Sequence, residues 1–284
     1  MPIDPAKALG AELGEGHYGW SPDDVILYHL GVGAGVPATD PGELEYTYEK
    51  NLKVLPSFGV IPVFGSMGGL ASVEGLSFNF AMLLHGEQDI TLHRPIPAEA
   101  KVINKGRVAE LWDKGKACLC VLEVETRLET GEPLFTNRFG LFLRGEGGFG
   151  GEPGPKAGNE RPDREPDGII ETPTLPQQAL IYRLSGDKNP LHADPEFAKM
   201  AGFDTPIIHG LCSYGVVCKA VVDHVLDGQT ERVARYQVRF RGVGYPGETY
   251  LTSYWKEGNR ILIEARSKER DEVVISNAAI EVRD

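Results

Sequence analysis

Residues 144–168 read RGEGGFGGEPGPKAGNERPDREPDG, a run of Gly, Pro and charge with no hydrophobic period. Such a run continues neither a helix nor a buried strand. Pro removes a backbone donor, Gly is costly to order, and nothing in the run supplies an apolar face. It splits the 284-residue chain into two parts of ordinary domain size. The organisation expected is an N-terminal unit over residues 1–150, a linker over 151–167 and a C-terminal unit over 168–284.

The C-terminal unit opens on a short strand at residues 169–172 and a helix at 176–184. A loop rich in Gly, Asp, Asn and Pro follows, then a long apolar helix over 211–226. Along that helix Leu211, Tyr214, Val217 or Cys218, Val221, Val222 and Val225 recur at spacings of three and four, which predicts one buried face. Strands come next. Tyr236, Val238 and Phe240 alternate with Arg235, Gln237 and Arg239, the period of a half-buried strand. Further strands are expected near 248–255, 260–267 and 273–282, and the N-terminal unit ends similarly, with strands near 89–94, 101–111, 117–128 and 134–143. Each unit therefore reads as a helical region followed by antiparallel strands. That predicts an α+β fold in which a sheet wraps a helix, used twice.

Several classes are disfavoured. A net charge of −12 repels phosphate backbones, so general nucleic-acid binding is not expected, although a local basic patch can still hold a small anion. The best apolar stretch, 211–222, carries Ser213 and Lys219 and is too short to span a bilayer, so no membrane association is expected. The opening residues MPIDPAKALG lack the apolar core of a secretion signal, and the closing EVRD is not a peroxisomal tripeptide; cytoplasm is the compartment expected. Cys118, Cys120, Cys212 and Cys218 lie in apolar segments without zinc spacing and read as reduced thiols acting as small hydrophobes.

The segment most suggestive of chemistry is YRLSGDKNPLHADPEFAKMAGFDTPIIHGLCSYG, residues 182–215. Asp187, Asn189 and His192 fall within six positions on a stretch that Pro190 keeps from being regular helix. A loop can turn all three to one point. Asp or His can take a proton from water and return one, and Asn can orient the water as donor and acceptor. Asp and Asn also cap turns, and the residue types alone leave both readings open. His209 and Gly210 stand just before the long helix. A glycine there lets a ligand approach first-turn N–H groups that stabilise a developing oxyanion, or it is simply an N-cap; His209 is equally readable as structural.

Together these residues closely resemble the hydratase 2 motif of MaoC-like (R)-specific enoyl-CoA hydratases. LPSFGVIPVF, GLSFNFAMLLHGEQ, FLRGEGGFGG, YPGET and WKEGNR extend the resemblance over nearly the whole chain, closest to the hydratase region of the peroxisomal multifunctional enzyme type 2. The resemblance implies a double hot-dog fold, two antiparallel sheets each wrapping a long helix. It implies reversible syn hydration of trans-2-enoyl-CoA to (3R)-3-hydroxyacyl-CoA, a hydro-lyase reaction of fatty-acid metabolism such as β-oxidation. It puts the acid–base pair on Asp187 and His192, a supporting contact on Asn189 and the oxyanion donor on the N–H of Gly210. Contacts to coenzyme A or acyl chain fall on His85, Gly86, Lys114, Lys188, Pro190, Leu191 and Phe240. No metal or resident cofactor is implied, coenzyme A being part of the substrate, and a homodimer is expected. The rival readings are a dehydratase running in the synthetic direction, a thioesterase, and a non-catalytic acyl-CoA-binding subunit.

The N-terminal unit is left to house the acyl tail. Residues 57–84, SFGVIPVFGSMGGLASVEGLSFNFAMLL, combine apolar side chains with Gly65, Gly68 and Gly69, which suits either a tunnel wall or a packed helix and loop. Medium and long enoyl-CoA substrates are expected, branched or sterol side chains among them.

Overall fold

Strand pairing organises the chain. The computed structural model describes residues 3–283, apart from the side chains of Ser66, Met67 and Ala81. Among these residues ten strands form one antiparallel sheet: β1 (Glu12–Trp20), β2 (Leu83–Leu92), β3 (Ala100–Asp113), β4 (Ala117–Leu128), β5 (Pro133–Arg144), β6 (Gly168–Pro173), β7 (Val233–Phe240), β8 (Thr249–Glu257), β9 (Arg260–Ser267) and β10 (Val273–Val282). Their order is β1-β3-β4-β5-β2-β7-β10-β9-β8-β6. Counted inward from either edge, the two halves have the same topology with strand numbers raised by five, so the duplication inferred from pattern is present in the connectivity. β1 had no counterpart among the expected strands, because Gly14, Gly16 and Gly19 hide its period.

The two sheets expected are joined into one. β2 and β7 pair in register from Glu87↔Arg239 to Thr91↔Arg235, so neither half leaves an open edge at the centre. On the face away from the helices the junction carries ion pairs, Asp89 with Arg235 at 2.6 Å and Glu87 with Arg239. On the other face Tyr236 stacks on Tyr214, ring centroids 4.2 Å apart.

Among the described residues six α-helices lie before and between the strands: α1 (Pro5–Ala8), α2 (Pro22–Gly31), α3 (Pro41–Thr47), α4 (Gln178–Tyr182), α5 (Pro195–Met200) and α6 (Gly210–Val225). Pro in the first turn and Asp4, Ser21, Asp40 and Asp194 as N-caps start four of them. The long helix α6 is buried from Leu211 to Val222 all round, where one buried face was expected. The sheet covers one side and the first half covers the other: a Cβ on Gly215 would stand 2.5 Å from Val32 and 2.7 Å from the Tyr28 hydroxyl of the α2 region. The charge inside it is paired. Lys219 bonds Glu43 of α3 at 2.6 Å and Asp223 at 2.7 Å, and Tyr46 donates to Asp223 at 2.7 Å.

The first half lacks the long helix expected of it. Between β1 and β2 the corresponding chain runs as 3-10 segments, Pro56–Val60 and Phe64–Ser72. Pro56 and Pro62 withhold donors, and Gly59 and Gly69 sit where a Cβ would stand 2.4 Å from Ile90 and 2.3 Å from the Leu13 carbonyl. A backbone without α-helical bonding needs other partners when buried. Strand side chains supply them: Asn104 donates to the Pro62 carbonyl at 2.8 Å and Asn137 to the Gly59 carbonyl at 3.0 Å. Thr126 and Gln88 steady those amides at 2.6 and 2.9 Å.

Residues 145–167 contain no helix or strand but are bonded along their length. The Asp113 carboxylate accepts from Gly148 and Gly150, Asn277 donates to the Gly158 carbonyl, and Trp255 donates to the Arg164 carbonyl. The segment is therefore a strap across both halves. Among the described residues no helix is long and apolar enough to cross a membrane.

Candidate active site

The loop between α4 and α5 is shaped by its own side chains. Gly186 takes φ of 141°, a region that favours glycine, and turns the chain out of the 3-10 segment Arg183–Ser185. Asp187 Oδ1 accepts from the Asn189 N–H at 3.0 Å, and Asn189 Oδ1 accepts from the Leu191 N–H at 3.0 Å, capping the turn Pro190–His192. Capping therefore does not use up either side chain. Each side chain uses one oxygen to hold the loop and keeps its other polar atom: Oδ2 of Asp187, and Nδ2 of Asn189. The Asn189 oxygen keeps a second lone pair, so the amide can still offer both a donor and an acceptor.

His192 is buried, and its Nδ1 donates to the Ile207 carbonyl at 2.9 Å. That bond fixes the tautomer and leaves the lone pair on Nε2. Burial lowers the His192 pKa from 6.5, against the Ile207 carbonyl and the Asp187 carboxylate, which favour the charged form. His209 lies directly before α6. Its ring stacks on His192 with centroids 3.7 Å apart and planes at 29°, and its Nε2 donates to the Asp187 backbone carbonyl at 3.2 Å. Burial first, and the His192 neighbour second, push its pKa down to about 3. Ligating atoms of Asp187, His192 and His209 lie within 4.8 Å of one another. Nδ1 of His192 and Nε2 of His209 are committed to backbone carbonyls, which leaves one nitrogen lone pair on each ring.

Asp187, Asn189, Leu191, His192 and Gly210 line one cavity of about 460 Å³, together with His85 and Phe240. A bulge between His85 and Glu87 turns the His85 ring inward, 5.5 Å from Phe139 and 5.2 Å from Phe240. Burial lowers its pKa to about 4. Gly210 is the first residue of α6, where N–H groups have no acceptor in the helix. A Cβ there would stand 3.4 Å from the Phe240 ring, so glycine keeps the approach to that turn open. Ser213, one turn along, also lines the cavity and bonds the Tyr250 hydroxyl at 2.8 Å. The rest of the wall is apolar and comes from both halves: Phe64, Leu70, Phe80, Leu83 and Leu84 from the first, Ile208, Leu211, Val243 and Val274 from the second.

Four residues expected at the site do not line this cavity. Gly86 packs under Phe142, where a Cβ would stand 2.5 Å from the ring. Lys188 is exposed and Pro190 starts the short turn. Lys114 lies in the β3–β4 turn, donates to the Pro153 carbonyl and lines a separate open hollow with Lys156 and Arg239. Sequence reasoning gave no role to Ile207, whose contribution is a backbone carbonyl that no residue type signals. It left His209 undecided, since its partners appear only in the folded chain.

Residues 18–145 match the family described as MFE-2 hydratase 2 N-terminal domain, and residues 157–278 match the MaoC like domain. Enoyl-CoA hydratase ChsH3 of Mycobacterium tuberculosis is 42% identical over 277 residues, covering 97% of each chain. Enoyl-CoA hydratase 2, peroxisomal, of Arabidopsis thaliana is 41% identical over 284 residues, covering 94% of this chain and 92% of that one. The crystal structure of a MaoC-like dehydratase from Phytophthora capsici superposes with a TM-score of 0.89 at 32% identity, covering 99% and 98% of the two chains.

Proposed function

Because the chain belongs to the MaoC-like, hydratase 2 family of enoyl-CoA hydratases, we propose how its own residues add water to an enoyl thioester. The protein is a hydro-lyase with the double hot-dog fold, acting on an acyl-CoA substrate; the roles of single groups are the proposal. The thioester carbonyl accepts from the N–H of Gly210, which draws electrons from the conjugated double bond and makes carbon 3 electrophilic. Water lies between Oδ2 of Asp187, Nδ2 of Asn189 and Nε2 of His192. As its oxygen bonds to carbon 3, His192 Nε2 takes one of its protons, and the π pair moves toward the thioester oxygen. The Asp187 carboxylate steadies the imidazolium. The proton then passes to carbon 2 on the same face, so the elements of water are added syn and nothing is oxidised. The (3R) configuration follows the resemblance of DKNPLH to the (R)-specific motif. No resident cofactor is required, because the thioester is the electron sink.

The observation that carries this reading is the convergence of Asp187, His192 and Gly210 on one cavity, with Nδ1 of His192 committed to Ile207. The test is the conjugated-thioester absorbance of crotonyl-CoA and longer enoyl-CoA, with the product resolved by chirality. Loss of the band without free thiol supports hydration; free thiol indicates a thioesterase; binding with neither indicates a binding subunit.

The acyl tail is assigned to the first half. Its support is the apolar wall contributed by Phe64, Leu70, Phe80, Leu83 and Leu84. A cytoplasmic setting and a homodimer complete the proposal. The four buried thiols suit a reducing compartment, since burial pushes the Cys118 thiol up to about 12 and keeps it protonated. Mass in solution tests the dimer.

A further inference from the structure

His209 touches both members of the proposed acid–base pair, by two different faces of one ring. Its edge reaches the backbone of Asp187, with Nε2 3.2 Å from the carbonyl. Its flat face covers His192 at 3.7 Å between centroids. It stands immediately before α6, so it also joins the helix that presents Gly210 to the loop that presents Asp187. Tyr182 packs against its ring, centroids 4.9 Å apart. The charged or titratable groups around it are therefore His192, Asp187, Tyr182 and, acting at longer range, Arg183.

We propose that His209 is the positioning residue of this site: its Nε2–H holds the Asp187 backbone, and its ring shields one face of His192 from water. Two neighbouring imidazoles then do different work. His192 has its donor tied to Ile207 and its lone pair on Nε2. His209 has its donor tied to Asp187, and its Nδ1 is buried without a hydrogen-bond partner. Protonating that Nδ1 would bury a second cation beside an imidazolium formed on His192, and both burial and the His192 neighbour favour the neutral ring. His209 therefore does not compete for the proton that His192 moves. The inference rests on the reading of Asp187 and His192 as the reacting groups.

The two contacts can be removed separately. In His209→Phe a flat ring still covers His192 but the donor is gone. In His209→Gln the side-chain amide reaches the position of Nε2 but the ring is gone. With both variants folded as judged by circular dichroism and melting temperature, His209→Phe should lose about 100-fold in kcat with little change in KM, the scale expected when reacting groups are displaced by ~1 Å. Its acid limb of kcat/KM should stay at the wild-type position. His209→Gln should recover at least about tenfold of that kcat loss, while its acid limb moves to higher pH as water reaches His192. His209→Asn, whose amide stands near Nδ1 instead, should not recover kcat, and it replaces the Phe variant if that ring prevents folding. Equal kcat in the Gln and Asn variants overturns the anchoring role, and an unmoved acid limb in His209→Gln overturns the shielding role. Asp187→Asn and His192→Gln run in the same assay separate the two levels. If they lose turnover while every His209 variant matches wild type, only the His209 inference fails; if they keep turnover, the underlying assignment fails with it.

Discussion

Nδ1 of His192 donates to the backbone carbonyl of Ile207 at 2.9 Å, across 15 residues of chain. The bond ties the loop that carries Asp187 and His192 to the segment that leads into α6, so the imidazole and the first turn of the helix are held together. It also decides which ring nitrogen faces the cavity.

Removing either member of the pair should stop the chemistry without unfolding the protein. Asp187→Asn and His192→Gln should each lower kcat at least ~100-fold, the usual scale of an acid–base group. Steady-state kinetics with an enoyl-CoA, beside a melting curve, checks this. Near-wild-type turnover in either folded variant would remove that residue from the mechanism.

The pH behaviour has a definite sign. His192 must be neutral to accept a proton, and burial lowers its pKa from 6.5, so kcat/KM should hold as pH falls past 6.5 and decline only below it. Stability follows the same direction through His29, fully buried with Nδ1 donating to the Tyr46 carbonyl at 2.8 Å and Nε2 accepting from the Leu55 N–H at 3.2 Å. Burial lowers its pKa to about 4. Between about 4 and 6.5 the unfolded chain binds the extra proton, so stability is complete above 6.5 and is lost as pH falls through that window. Denaturant titrations at several pH values test it, and His29→Gln should flatten the slope.

Asn137 and Asn104 hold the irregular backbone that borders the cavity. Asn137→Ala leaves the Gly59 carbonyl buried without its partner and should cost about 1–3 kcal/mol. Activity should fall more on long enoyl-CoA than on crotonyl-CoA, because the wall of the tail region loosens while the reacting groups stay in place. An equal loss on both substrates would show that these amides serve stability alone.

Lys114 and Lys156 line one hollow together with Asp113 and with Arg239, whose charge is paired with Glu87. If the hollow meets the phosphates of coenzyme A, Lys114→Glu should raise KM several-fold, about one screened charge contact, and leave kcat nearly unchanged. An unchanged KM takes Lys114 out of substrate binding.

Chain length gives the most direct test of the cavity. Each buried methylene adds up to ~0.8 kcal/mol, so kcat/KM should climb from four-carbon to longer enoyl-CoA and then level. A steep fall beyond four carbons would mean the apolar wall is closed to the tail.

Much of this was legible in the residues. Alternation marked strands within β4 and β7, turn residues bounded the stretches that became β9 and β10, and spacings of three and four marked α6. DKNPLH and HG lie on the loop and the helix start that meet in the cavity, and it was their resemblance to the hydratase 2 motif, not the residue types alone, that singled them out. The elements, and the groups able to carry protons, are therefore written along the chain. The tertiary structure decided the rest, since it depends on contacts between distant parts of the chain. The pairing of β2 with β7 makes one sheet of two, because unpaired strand edges satisfy each other. Pro56, Gly59, Pro62 and Gly69 meet Leu13, Ile90, Asn104 and Asn137, and that packing denies the first half a long helix. The bulge at Gly86 turns His85 inward, and the Ile207 carbonyl chooses the tautomer of His192. A hydrophobic period is a property of one segment and can be read along the chain; a hydrogen bond to a backbone carbonyl depends on where two segments meet, and only the fold sets that.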